Sequence, residues 1–75
     1  MECSQVKPGL RVRTVELGST KSMIIPQEYL DIRREGITGS VLGHVPGHGG
    51  EVWFVQHDGS SKDTGAYHFK EVEPV

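Results

Sequence analysis

HVPGHGGEVWFVQHDGS, His44–Ser60, decides how this chain folds. Pro46, Gly47, Gly49 and Gly50 forbid a helix and mark a tight turn. The apolar run that follows, Val52-Trp53-Phe54-Val55, ends at an Asp58-Gly59 turn and reads as a strand. Alternate side chains of a strand point to opposite faces, so Trp53 and Val55 share one face and Val52 and Phe54 the other. Both faces are apolar. A core accounts for one, and something must cover the other. An uncovered aromatic on one strand forgoes a few kcal/mol at about 25 cal/mol per Å². That is a large share of the stability of so small a domain. Two covers are open. The chain's own Met23-Ile24-Ile25, with Tyr29 and Leu30, is one; a second copy or a different protein is the other. On the second reading the contact surface takes in Trp53, Phe54 and Val55, with Tyr67 and Tyr29 as further aromatic anchors.

Outward from this strand, ten glycines punctuate short apolar segments, the pattern of an all-β domain with tight turns. Strands are expected at residues 10–15, 38–45, 51–57, 66–69 and 72–75. In Leu10–Val15 the apolar Leu10 and Val12 alternate with Arg11 and Arg13, so one face is dry and one wet. In Thr38–Val45, glycines alternating with valines imply strong bending. The stretch between the first two strands is different. Pro26 suits a first helical position, Glu28 and Asp31 come early, Arg33 and Arg34 late, and Gly36 stands where a helix stops. A helix over Gln27–Glu35 is predicted, with a strand through YLDI as the competing reading. Lys70-Glu71 is read as a turn.

The segments GLRVRT, ITGSVLGHV, EVWFVQHDG and AYHFKEVEPV together resemble an SH3-like β-barrel of the KOW and Mind-bomb type. The resemblance covers about four fifths of the chain in pattern. It implies a mainly β fold: an SH3-like five-stranded barrel, with one short helix in the first long connection. One domain would span residues 1–75, with residues 1–6 flexible. It also implies a module that binds other macromolecules. The plasmid-type trimethoprim-resistant dihydrofolate reductases look similar too, opening on a comparable G-x-R-V-R strand and working as a tetramer around one pore. Their Val-Gln-Ile-Tyr strand would fall near Gly65–His68, where this chain has Gly-Ala-Tyr-His, so the pore glutamine is missing.

Composition limits the function. Seventy-five residues with an apolar fraction of 35% make one small domain. Cys3 is the only cysteine, which excludes an intrachain disulfide and fits a reducing cytoplasm. No apolar run reaches the roughly 20 residues a bilayer needs. A net charge of −2 gives no overall pull toward nucleic acid. A patch of Arg11, Arg13, Arg33 and Arg34 is the feature that would serve a nucleic-acid-binding KOW or Tudor-like module.

His44 and His48 lie four apart, a spacing that loses its meaning outside a helix. A site from His44, His57 and His68 lacks supporting ligand spacing, and the four histidines read as surface residues flanking turns. The serines sit in turns, PGHGG lacks the Lys-Ser/Thr of a phosphate loop, and Cys3 has no motif around it. The expectation is a non-enzymatic cytoplasmic interaction domain with no metal or cofactor. Its partner would be a protein or a copy of itself.

Overall fold

A computed structural model describes residues 2–59 and 63–75. The chain turns the Gly47-Gly49-Gly50 corner with φ of 83°, 61° and 79°, a region other residues avoid, so the two flanking strands run antiparallel. These are β2 (Thr38–His44) and β3 (Val52–His57). With β1 (Arg11–Thr14), β4 (Thr64–His68) and β5 (Val72–Pro74) they form one sheet in the order β4-β3-β2-β1-β5. Every neighbouring pair is antiparallel. Val41 pairs with Val55, Trp53 with Tyr67, Phe54 with Ala66, and Arg13 with Glu73. A bulge at Leu42 shifts the β2–β3 register and leaves that side chain 49% exposed. At Gly39 a Cβ would sit 2.4 Å from the Gln56 carbonyl oxygen, so the close β2–β3 approach requires glycine. The sheet is mainly β as expected, and β4 and β5 are its edges.

The long connection between β1 and β2 carries α1 (Gln27–Asp31), which lies against edge strand β4. This helix ends four residues earlier than predicted. Pro26 caps it instead of opening it, and no basic residue falls in its last turn. The Arg34 N–H, which a longer helix would aim at the Leu30 carbonyl, goes instead to the Tyr67 hydroxyl at 2.9 Å. A 3₁₀ turn, Phe69–Glu71, stands where the Lys70-Glu71 turn was expected. Another, Cys3–Gln5, precedes Val6, which is buried. Val6 was expected in a flexible end; it joins the core.

The core has two parts, and β3 and β4 separate them. Val6, Val12, Val41, Val55, Tyr67 and Val72 form the first, with Leu10, Leu17, Trp53 and Phe69 packed on it. Met23, Val45, Val52 and Ala66 form the second, with Ile25, Tyr29, Leu30 and Phe54 against it. The alternation in Val52–Val55 is therefore realised, and the long connection supplies the cover. The Tyr29 and Phe54 rings meet at 5.1 Å. Ile24 departs from the expected cover: it is 90% exposed, while Met23 beside it is buried. Among the described residues no helix is long and apolar enough to cross a membrane.

Candidate functional site: a groove held by buried polar side chains

Alternation along β1 places Thr14 on the face of Val12, and along β3 places His57 on the face of Val55. Both are polar residues at core positions, with 1% and 3% exposure. Tyr67 and Glu71 join them at 0% and 4%. A buried polar group is costly unless bonded, and each of these four is. Thr14 donates its hydroxyl to the Arg34 carbonyl (2.5 Å) and accepts from the Ile37 N–H (3.0 Å). Tyr67 accepts from the Arg34 N–H, and its hydroxyl shares a hydrogen bond with His57 Nε2 at 2.7 Å. Glu71 accepts from the Gly18 N–H (2.6 Å), the His68 N–H (2.8 Å) and the Arg33 guanidinium. Both members of the Arg33–Glu71 pair have side chains 5% exposed. The Arg33 guanidinium also lies over the Tyr67 ring, 5.5 Å from its centre. Its Nε is buried without a partner among the described residues. Five of these seven bonds reach the long connection, so the network anchors that segment to the sheet.

Burial lowers the His57 imidazole below its ordinary value, Asp63 opposing and Arg34 reinforcing the effect. Burial likewise raises the Tyr67 phenol. The pair is thus neutral near pH 7. At 3% and 0% exposure it is closed to a substrate, which makes it a structural element. His57 was expected on the surface; its burial, with the ring hydrogen-bonded to Tyr67, corrects that.

Above Glu71 opens a groove of about 200 Å³ between the long connection and the second 3₁₀ turn. Met23 contributes an apolar wall, Glu16 and Lys70 opposite charges, and Ser19, Ser22 and His68 polar edges. A wider, shallower hollow of about 340 Å³ lies between α1 and the start of β4, with Glu28, Tyr29 and Asp63 on its walls.

The residues expected at a contact surface are divided by the fold. Val55 (1% exposed) and Tyr67 are core residues and present no surface. Trp53, Phe54 and Tyr29 are half-buried. Trp53 donates its Nε1–H to the Gly50 carbonyl at 2.7 Å and meets His44 edge-on at 5.9 Å. The expected cationic patch is not assembled. Arg11 holds Asp58 through both carboxylate oxygens, and hydrogen bonds from Arg11 and then Thr38 bring the Asp58 carboxyl down to about 2. Arg13 pairs with Glu73 at 3.1 Å, and Arg33 is buried with Glu71. Arg34 alone of the four has no ion pair among the described residues. Nor do three of His, Cys, Asp and Glu converge on a metal position among those residues.

Glu71 and Thr14 are the residues sequence reasoning passed over, while His57 was weighed only as a metal ligand or surface residue and Ser19 only as a turn serine. For Thr14 and His57 a signal existed in the strand alternation. For Glu71, paired with Arg33 across 38 positions, no local signal exists. The chain matches no family model, no curated protein and no solved structure.

Proposed function

We propose that the chain is an SH3-like barrel acting as a non-enzymatic cytoplasmic protein-interaction domain. Its contact surface is the groove between the long connection and the second 3₁₀ turn. The fold reading is supported by the strand order β4-β3-β2-β1-β5. A long excursion between β1 and β2 and a 3₁₀ turn between β4 and β5 support it further. The groove carries the function reading. It is a concave site with one apolar wall and a few polar groups, the usual composition of a recognition site. Its two walls are tied together underneath by Glu71, so the site is preformed and a ligand loses little free energy ordering it. The pairing of Arg11, Arg13 and Arg33 with carboxylates argues against nucleic acid as the partner.

The test is selection from a random peptide display library, with affinities of the enriched peptides compared between wild type and Ser19→Trp. The indole fills the groove from an exposed position, so the fold survives, as circular dichroism would verify. Enriched peptides should lose at least tenfold in affinity, about 1.4 kcal/mol. Light scattering of both proteins separates self-association from binding a different chain. Peptides that bind Ser19→Trp equally well would place the contact elsewhere and overturn the proposal.

A further inference from the structure

The long connection is anchored at both roots, by Gly18 on Glu71 and by Arg34 on Tyr67 and Thr14. Between them, residues 19–29 make one hydrogen bond to a residue outside the long connection, among the described residues. It is the Ile24 N–H donating to His48 Nε2 at 3.1 Å. The other ring nitrogen, Nδ1, lies 3.1 Å from the Pro46 carbonyl oxygen and must donate to it. One neutral tautomer meets both demands. A protonated ring carries hydrogen on Nε2 and sets two donors face to face. Imidazole is the side chain that changes charge between pH 5 and 8.

We propose that residues 23–30 form a strap over the second apolar face of β3 and β4, latched at its tip by neutral His48 and loosened by mild acid. Under the strap lie Val45, Val52 and Ala66, all buried, and Phe54. Ile24 points its side chain to solvent while Met23 is inserted, so the latch grips the backbone where the strap crosses the rim. Groups able to modulate the ring are few. No carboxylate oxygen comes within 4.0 Å of its nitrogens among the described residues. The charged residues on the two segments it joins are Lys21 and Glu28 within residues 19–29 and Glu51 on its own loop. His44 is the nearest histidine along the chain, and it faces Trp53. At the root, His57 bonds Tyr67 from within the core, and its protonation is opposed by burial.

Nuclear magnetic resonance of the whole chain between pH 8 and 5 tests this. The Ile24 amide and the Met23 methyl should titrate with the midpoint of the His48 ring. Ile24 amide protection, corrected for intrinsic exchange, should fall roughly fivefold, the weight of one net hydrogen bond. Binding of an apolar dye should rise over the same range. In His48→Gln the side-chain amide still accepts and donates but does not titrate, so all three responses should flatten. If Met23 stays fixed while Ile24 titrates, the change is local and no strap moves. If Met23 follows the His57 ring instead, or His48→Gln responds like wild type, the latch is elsewhere. Should His48→Gln not fold, unequal midpoints for His48 and Met23 in the wild type overturn the proposal unaided.

Discussion

Glu71→Ala should be the most damaging single substitution in this domain. The mutation leaves the Arg33 guanidinium buried, its side chain 5% exposed, with its carboxylate gone. Removing one partner of a buried pair costs about 3–5 kcal/mol. The Gly18 and His68 amides also lose a charged acceptor, normally about 1.5–3 kcal/mol each. These losses overlap, since the vacated space admits water, so about 4–5 kcal/mol is the working figure. A chain of this length has roughly 4–11 kcal/mol in all. The variant should therefore be marginal or unfolded at 25 °C. The assay is urea unfolding followed by the fluorescence of Trp53, the only tryptophan, which packs on the first core cluster. Arg33→Met/Glu71→Leu removes both charges and should recover about half the loss, because an apolar pair replaces a buried ion pair well. A Glu71→Ala loss below about 1 kcal/mol would refute the reasoning, since no buried charge of that kind costs so little. Strict additivity of Arg33→Met and Glu71→Leu, each measured singly, would refute the coupling as well.

Three further outcomes are expected. The unfolded chain protonates His57 near pH 6.5 and the folded chain only further down, so between these values the unfolded state holds more protons. The His57 contribution is therefore complete above pH 6.5 and is lost as pH falls through the lowered folded value; urea titrations should show that slope, reduced in His57→Gln. Gly39→Ala places a methyl 2.4 Å from a backbone oxygen and 3.0 Å from Val55 Cγ1. It should cost about 1–3 kcal/mol and lower the melting temperature by about 4–8 °C for each kcal/mol. An unchanged melting curve would contradict the β2–β3 register. Because Asp58 and Glu73 already occupy Arg11 and Arg13, wild type should pass a heparin column at physiological salt as unretained as Arg11→Ala/Arg13→Ala does. Strong retention lost in the double variant would revive the nucleic-acid reading.

What could be read from the residues follows the range of the interactions. Strand positions were legible because turn glycines and two-residue alternation are local signals. The need to cover both faces of Val52–Val55 was legible for the same reason, and Met23, Tyr29 and Leu30 were named as one possible cover. The helix end was misread because Arg33 and Arg34 look like C-terminal dipole partners. In the fold Arg33 answers to Glu71 instead, and the Arg34 amide to Tyr67. Those partners lie 38 and 33 positions away, beyond any periodicity. His57 was placed outside because histidines flanking turns are commonly solvated, and Tyr67 because it was read as an aromatic anchor of a contact surface. Their mutual hydrogen bond is what makes their burial tolerable.

The place of β5 beside β1 has a consequence for how the molecule assembles. β2, β3 and β4 follow one another in sequence and in space, so this meander can zip locally. Joining β1 to β5 brings Arg13 and Glu73 together across 60 positions. A closure over so many residues carries a large entropy cost before any contact rewards it, and it slows folding. Stopped-flow refolding should therefore be sensitive to substitutions in the β2–β3 hairpin. Changes along β5 should register mainly as faster unfolding.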